Sequence, residues 1–239
     1  MGLNQFSALT QEEFIQTYLT PNINKNNHKN AESDNLNVKV QLDDINWVSK
    51  GYVTRVKNQG ICNAGWAFSA TSSLECLSKA RDFELNMYSE SQLIDCSSSY
   101  GNHGCNAGLM TNAFKFVKEN GIARSEEYPY NAEQGPCLKH GGPFTINRFV
   151  EVNDCASLGV SIQSQVVAVN VDASNWRSYR EGVFYNCQSN LNHGVSLVGV
   201  NDGNWVIKNS WGYSWGEDGY IRLKGGNTCG ICSMASYVE

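Results

Sequence analysis

The sequence has no apolar run long enough to cross a membrane, since none approaches the roughly eighteen consecutive apolar residues that a spanning helix requires. Its first ten residues, MGLNQFSALT, also lack the basic and apolar regions of a secretory signal. We therefore expect no membrane span and no signal peptide within this chain.

Basic residues are scarce as well. The chain has 18 Lys and Arg against 23 Asp and Glu, which gives a formal net charge of -5 with the four histidines neutral. The basic residues are dispersed, so no cationic face is available to neutralise phosphates. Nucleic acid is therefore excluded as an expected partner. The 41% hydrophobic content over 239 residues is enough for one large domain or two small lobes.

Cysteine, by contrast, is abundant. Nine cysteines are many for a reducing compartment and indicate the secretory pathway, the lysosome or the cell exterior. The CGIC segment ending at Cys232 has the spacing of a zinc-ligand pair, but no second Cys or His pair accompanies it. We therefore expect no metal site and no cofactor. Because the count is odd, at least one cysteine must lie outside any intramolecular bridge.

The N-terminal region is predicted to contain a short extended piece, LNQF, followed by a helix. Thr10 is the expected N-cap, with Glu13 three residues later completing a capping box, and Leu9 and Phe14 are placed for a hydrophobic staple. Residues 21–41 are polar and Asn-rich, which predicts an extended linker without packed structure.

The chain becomes compact from Leu42 onward. GWAFSATSSLECLSKARDF predicts a long buried helix capped by Asn63, and SESQLIDC and GLMTNAFKFVKENG predict further helices, the last closed by Gly121. Later segments are short, β-branched and separated by Gly, Asn or Asp: QVVAVNVDA, HGVSLVGV, NWVIKNSW and GYIRLKG. A helical half followed by an antiparallel half predicts a two-lobed α+β fold.

Five ordered motifs carry a family resemblance. They are GYVTRVKNQGICNAGWAFSA, SESQLIDC, GCNAGLM, NHGVSLVGV and IKNSWGYSWGEDGYIRL. Together they resemble the papain-like cysteine peptidases, most closely the cathepsin L type, over residues 42–239. The resemblance implies a helical left lobe over about 60–150, an antiparallel, β-barrel-like right lobe over about 151–230, and an active-site cleft between them.

The resemblance also assigns roles to residues of the cleft. Such an enzyme needs a thiolate at a helix N-terminus, with an imidazole beside it and an amide to orient the imidazole. His193 matches the general base, Asn209 its orienter, and Gln59 the side-chain donor of the oxyanion hole. The implied groove residues are Trp66, Gly108, Leu109, Met110, Leu191, Trp211, Trp215 and Met234. Met234 matches the residue that closes the second specificity pocket, for which a medium apolar side chain is the expected anchor.

The nucleophile departs from the family pattern. The family block reads Q-G-x-C-G-S-C-W where this chain reads QGICNAGW, so Gly65 occupies the cysteine position. Gly65 has no side-chain atom for His193 to activate. Cys62 lies three residues earlier in the loop, and Ser69 lies on the helix beyond the groove. Three readings remain: an inactive homologue acting as a binding or structural component of a larger assembly, an endopeptidase whose nucleophile was replaced in the laboratory, and a durable storage-type protein.

Two further expectations follow from the resemblance. The implied disulfides are Cys62–Cys105, Cys96–Cys137 and Cys187–Cys229. The remaining cysteines, Cys76, Cys155 and Cys232, are interpreted as buried thiols. The segment GLNQFSALTQEEF resembles the end of an inhibitory prosegment, which in that family runs back through the groove. We therefore expect a peptide or protein in the cleft, with residues 21–41 of the chain itself as one candidate.

Overall fold

The computed structural model describes residues 4–20, residue 23 and residues 43–239, so most of the predicted linker over 21–41 lies outside the described residues. Helix α1 (Gln11–Tyr18) starts after Thr10, whose hydroxyl accepts from the N–H of Glu13 while the Glu13 carboxylate accepts from the N–H of Thr10. The predicted capping box is thus confirmed.

The segment before α1 is a turn over residues 5–8, so the prediction of an extended LNQF was wrong. The side chain of Asn4 accepts from the N–H of Phe6, and the N–H of Asn4 donates to the hydroxyl of Ser7. These local hydrogen bonds offer the backbone an alternative to extension, which is the usual effect of Asn and Ser in turns.

The helical lobe contains three helices: α2 (Gly65–Asp82), α3 (Glu90–Cys96) and α4 (Met110–Asn120). The N-cap of α2 is Ala64, which has no side-chain hydrogen bond, so the prediction of Asn63 as the cap was wrong. The amide of Asn63 instead donates to the carbonyl of Leu19 at 3.3 Å. Helix α4 ends at Gly121, as predicted, with a positive φ of 76° that an L side chain rarely adopts.

The second lobe is a sheet with helix α5 (Cys155–Ile162) beside it. Its strand order is β2-β8-β3-β5-β6-β7-β4, with β1 paired to β5. The strands are β1 (Ile45–Asn46), β2 (Phe149–Val152), β3 (Val167–Val171), β4 (Val183–Phe184), β5 (His193–Asn201), β6 (Asn204–Lys208), β7 (Tyr220–Leu223) and β8 (Ala235–Val238).

The sheet is open rather than barrel-like. In the described part of the chain, β2 pairs only with β8 and β4 only with β7, so neither edge is closed. The β4–β7 ladder is parallel, whereas the other ladders are antiparallel as predicted. The predicted two-lobed α+β architecture is confirmed, and the barrel-like closure of the right lobe is not present.

The two lobes have separate cores that meet at β3 and β5. Val167, Val169 and Val171 of β3 belong to the core of the sheet, while Ala168 belongs to the core of the helices. A Cβ added to Gly194 of β5 would lie 2.9 Å from the backbone of Trp66 in α2. The start of α2 and the start of β5 therefore approach so closely that only glycine fits between them.

Four disulfides staple the described fold. The three expected bridges, Cys62–Cys105, Cys96–Cys137 and Cys187–Cys229, are all present. A fourth joins Cys155 to Cys232, so the prediction that these two are buried thiols was wrong. Their Cα atoms lie 4.9 Å apart, because the start of α5 packs against the segment before β8. Cys76 is a buried free cysteine, as predicted.

Candidate active site

The candidate site lies where the first residue of α2 faces the first residue of β5. Gly65 and His193 are both buried there. A Cβ added to Gly65 would lie 2.6 Å from both Cε1 and Nδ1 of His193, and 2.8 Å from the carbonyl oxygen of Gly194. The imidazole therefore occupies the volume that a side chain at position 65 would need.

The orientation of His193 is fixed by its partner. Its Nε2 lies 2.9 Å from Oδ1 of Asn209, and the N–H of Ser210 donates to the same oxygen at 2.8 Å. Because that atom accepts from a backbone N–H, it is the amide oxygen, and Nε2 of His193 must carry the proton. Nδ1 is then an acceptor directed at Gly65. The ring of Trp211 stacks on the imidazole at 4.8 Å with an interplanar angle of 20°.

Burial decides the charge of His193. The side chain is 2% exposed, and desolvation lowers the pKa of His193 to about 4, although the hydrogen bond with Asn209 partly opposes this. The imidazole is neutral at pH 7 as a result. A cysteine nucleophile would be activated by forming a thiolate beside an imidazolium, and position 65 offers no acid that could supply that proton.

Gln59 is held rigidly beside this pair. Its Nε2 donates to the carbonyl of Cys62 at 2.9 Å, and its Oε1 accepts from the hydroxyl of Ser210 at 2.7 Å. Its backbone N–H also donates to the carbonyl of Ser210 at 2.8 Å. The carboxamide is therefore fixed in one orientation, as a preorganised hydrogen-bond donor must be.

Two predicted groove tryptophans are buried in aromatic and backbone contacts. Trp66 is 2% exposed and lies against Gly108, where an added Cβ would come 2.4 Å from the indole. Trp215 is completely buried and meets Trp211 edge-on at 5.0 Å, with its Nε1 donating to the carbonyl of Trp176. Trp215 therefore packs against Trp211, and its role as a groove wall stays a prediction.

Three of the predicted groove residues share one cavity. Leu109, Met110 and Met234 line a small cavity of about 10 Å³ near the cleft, which has room for about one water molecule. Sequence reasoning missed its other walls, which are Thr111, Asn170, Ala235 and Ser236. The available signal was Asn170, the one polar residue among the five of strand VAVNV, in a pattern typical of a buried strand.

The N-terminal segment covers the site. Phe6 and Phe14 meet the ring of Trp211 edge-on at 5.4 and 5.3 Å. The side chain of Gln5 donates to the carbonyl of Trp211. These contacts place the turn and α1 over one end of the cleft.

The described chain beyond α1 follows the cleft further. The N–H of Thr20 donates to the carbonyl of Asn192 at 2.8 Å, and the N–H of Ile23 donates to the carbonyl of Leu191 at 3.1 Å. Both carbonyls immediately precede His193 in the chain. The segment thus passes beside His193 through backbone hydrogen bonds, which do not depend on its side chains.

A buried ion cluster lies behind the site. Lys57 bridges Glu75 and Glu90, with Nζ 2.6 Å from an oxygen of each. Burial would lower the pKa of Lys57, but the two carboxylates outweigh it and raise the pKa instead. Lys208 donates to the hydroxyl of Thr54 at 3.1 Å, and burial lowers the pKa of Lys208 to about 8. This cluster joins residues of both lobes.

The sulfur atoms near possible metal ligands are engaged in disulfides. Cys96, Cys137 and His140 place ligand atoms within 4.8 Å of one another, but the two sulfurs form a bridge. The two sulfurs of CGIC are bridged separately, to Cys187 and Cys155. The thiolates that a zinc ion prefers are not available at either place in the disulfide-bonded chain.

Residues 42–239 match the family described as papain family cysteine protease. The chain belongs to the papain family. It is 46% identical over 245 residues to cathepsin L 1 of Paramecium tetraurelia, covering 99% of this chain and 76% of that protein. It is 38% identical over 261 residues to a cathepsin L-like proteinase of Fasciola hepatica, covering 99% and 77%.

Solved structures of the papain family agree with this fold. Digestive procathepsin L 3 of Tenebrio molitor matches with a TM-score of 0.86 at 36% identity, covering 99% of this chain and 81% of that one. A recombinant stem bromelain precursor matches with the same TM-score at 34% identity, covering 100% and 82%. Four disulfides together with cathepsin-type relatives indicate a secretory or lysosomal protein. Within the described residues, no helix is long and apolar enough to cross a membrane.

Proposed function

We propose that this papain-family protein is catalytically inactive and acts as a binding or structural component. The observation that carries the proposal is the contact between Gly65 and the ring of His193, at 2.6 Å from the position of a Cβ. Covalent catalysis needs a nucleophilic atom at this place, and glycine supplies none. Removing the nucleophile of a comparable triad lowers turnover by about a million-fold.

Neighbouring residues offer no replacement nucleophile. Cys62 is bridged to Cys105, so its sulfur is not a thiolate. Ser69 is 1% exposed, and its hydroxyl donates to the carbonyl of Val195 at 2.6 Å. Neither atom can attack a peptide carbonyl in the cleft. The neutral state of His193 is consistent with an imidazole that has lost its acid–base partner.

We further propose that residues 1–41 are the remnant of an inhibitory prosegment and linker, and that 42–239 is the peptidase domain. The family match begins at residue 42, and the precursor structures cover almost all of this chain. Asn63 supports a lasting role for the segment, because it stands where the resemblance expects glycine and its amide holds the carbonyl of Leu19. On this proposal the protein's own tail occupies its groove.

The alternative is a cathepsin L-like endopeptidase whose nucleophile was replaced in the laboratory. The intact geometry of His193, Asn209 and Trp211 favours it, since these parts fit the activity named in the relatives. The genomic codon for residue 65 separates the two readings. A cysteine codon would establish the alternative, and a glycine codon would support the inactive protein.

The proposal is tested by measuring hydrolysis of a fluorogenic peptide with an apolar residue two positions before the cut. We expect no turnover and no labelling by a thiol-directed active-site reagent under native conditions. The control is labelling after denaturation, where the Cys76 thiol becomes reactive. Turnover by the unmodified protein that disappears in His193→Ala would contradict the proposal.

A further inference from the structure

A second small cavity lies between α2 and the adjoining strands β5 and β6, beside Asn209. Its volume is about 10 Å³, which is room for one particle of about the size of a water molecule. Its polar lining includes Ser72 of α2, Ser196 of β5, Lys208 of β6 and Asn209 itself. All four of these residues are buried, so the cavity is enclosed within the fold.

The side chain of Asn209 has one amide group left for an occupant of this cavity. Its Oδ1 is taken by Nε2 of His193 and the N–H of Ser210. Its Nδ2 is buried and has no hydrogen-bond partner in the described structure, although buried polar atoms are almost always paired. An amide nitrogen of this kind only donates, so the missing partner must be an acceptor.

Lys208 supplies a second set of donors. Its ammonium is 5% exposed and donates to the hydroxyl of Thr54 at 3.1 Å, which is its one hydrogen bond among the described residues. Two of its three N–H groups therefore remain for an occupant. Lys57 differs, because its Nζ lies 2.6 Å from an oxygen of both Glu75 and Glu90. Buried charges are normally paired, and Lys208 has no such carboxylate within 4 Å among the described residues.

The surrounding charges leave an excess of one positive charge. Lys208 is charged at pH 7, since burial lowers its pKa only to about 8. The other charged groups that act on it are Glu75, Glu90, Lys57 and Arg55. These five groups carry three positive and two negative charges. Because Glu75 and Glu90 contact Lys57 and do not line the cavity, a monovalent anion placed there would balance the excess.

We propose that this cavity binds one chloride ion, held by the Lys208 ammonium, the Asn209 amide and the hydroxyls of Ser72 and Ser196. A serine hydroxyl can rotate to donate, so donors from α2, β5 and β6 converge on the ion. Chloride accepts hydrogen bonds, carries a single negative charge and is only slightly larger than water. The inference goes beyond the proposed function and holds whichever residue occupies position 65.

Other occupants fit these groups less well. A water molecule fits by size, but it must also place its own two protons and it leaves the charge excess unbalanced. A metal cation would lie against the ammonium of Lys208 and the donor face of Asn209. Anions of several heavy atoms, such as phosphate or gluconate, are too large for the cavity.

The test measures urea unfolding of the full-length protein at pH 7 in sodium chloride, with sodium gluconate added to keep the ionic strength constant. Chloride that binds only the folded protein lowers the unfolding equilibrium constant by the factor 1 + [Cl⁻]/Kd. We expect that constant to be at least about tenfold lower in about 100 mM chloride than in gluconate alone, the effect of a ligand at about ten times its Kd. Bromide should act like chloride.

Two variants locate the ion. Lys208→Met removes the charge while keeping the length of the side chain, and Ser196→Val fills part of the cavity. Each should reduce the effect of chloride to less than about twofold. Lys118→Met is the matched control, since it removes an exposed lysine of α4 that does not line the cavity, and it should leave the effect unchanged. In crystals grown with bromide, an anomalous peak is expected between Lys208 and Asn209.

Equal unfolding constants in chloride and gluconate would overturn the inference and leave the cavity to water. An undiminished effect of chloride in Lys208→Met would also overturn it, because the ion would then bind elsewhere. Ser196→Val decides this point if Lys208→Met does not fold. Bromide crystals without anomalous density in the cavity would contradict the inference as well. All of these measurements are independent of peptide hydrolysis, so they do not depend on the proposed inactivity.

Discussion

At the scale of single residues, covalent catalysis at this site depends on a side-chain nucleophile at position 65, and Gly65 has no side chain. His193, Asn209 and Gln59 were predicted from their motifs, and the structure brings all three to one end of α2. Sequence could not show that the imidazole lies where a side chain at position 65 would be, since that depends on how β5 packs against α2. Nor could it show the unpaired oxygen of Asn170, because strand register decides which side chains share a face.

The first prediction concerns Gly65→Ala. Helix propensity alone would raise the free energy of unfolding of the Gly65→Ala variant by about 0.5–1 kcal/mol. The contact at 2.6 Å with His193 opposes this, because the ring is held by Asn209 and Trp211. We expect overpacking to win, with a loss of about 1–3 kcal/mol in the free energy of unfolding.

Urea unfolding measures this balance, and Gly203→Ala is the comparison for glycine replacement where an added Cβ meets nothing within 4 Å. Gly203 has a φ of 72°, so the change in unfolding free energy of Gly203→Ala measures backbone strain without a side-chain clash. A Gly65→Ala protein more stable than the unmodified chain would show that the His193 ring can move away from the new methyl group at little cost in stability, which would contradict the prediction.

The second prediction concerns pH. The pKa of His193 is about 4 in the folded state, below the ordinary value of 6.5. The unfolded chain therefore takes up a proton first as the pH falls, so folding stability is full above pH 6.5 and declines towards pH 4. The size of this loss is about 3 kcal/mol.

Urea midpoints between pH 7.5 and 4 test this expectation. The control is His193→Gln, which keeps a donor for Asn209 but does not titrate and should lose that part of the pH dependence. An imidazole that titrates near pH 6.5 in a histidine NMR experiment on the folded protein would contradict it.

At the scale of secondary-structure elements, most helices and strands were predictable from the sequence. The helix caps and disulfides that hold them in place were less predictable. The capping box of α1 and the glycine that ends α4 are local signals, and both are present. The cap of α2 was missed because Asn63 makes a long-range hydrogen bond to Leu19. The Cys155–Cys232 bridge was missed because spacing along a chain does not determine disulfide pairing.

The third prediction is that replacing both Cys155 and Cys232 by alanine lowers the free energy of unfolding by about 4 kcal/mol. The bridge spans 77 residues, and a loop of this length strongly restricts the unfolded chain. Cys76→Ala serves as the comparison, since it removes a cysteine that makes no cross-link. Peptide mapping of the non-reduced protein that finds Cys155 or Cys232 as a free thiol would refute the pairing.

At the scale of the whole molecule, the two lobes and the cleft were predictable because five motifs fix the family. The open sheet was not, since closure depends on whether edge strands find partners. Residues 21–41 were expected along the cleft, and this stays a prediction, because only residue 23 of that range is described, where its N–H donates to the carbonyl of Leu191. Contacts with Trp211 come from Phe6 and Phe14, which precede that range.

The fourth prediction is that Phe14→Ala loosens this segment. Phe14 is completely buried against Trp211, so truncation should weaken docking by about 3–5 kcal/mol. Hydrogen exchange at the N–H groups of Thr20 and Ile23 should then accelerate, while exchange in β3 is unchanged. Phe83→Ala, at a side chain that is 81% exposed, is the control. Equal exchange in Phe14→Ala and the unmodified protein would mean that the segment is held from elsewhere.

The packing of His193 against Gly65 also bears on how such a protein can evolve. The glycine codons GGT and GGC become cysteine codons by a single-nucleotide change, so for either codon the genetic route from Gly65 to cysteine is short. The physical route is not, because the restored side chain would enter space that the imidazole already fills, at 2.6 Å from its ring atoms. A lineage that acquired Gly65→Cys would therefore carry a less stable protein before any gain in catalysis could be selected. If the proposed loss of the nucleophile is natural, the packing of His193 against Gly65 would therefore oppose its reversal.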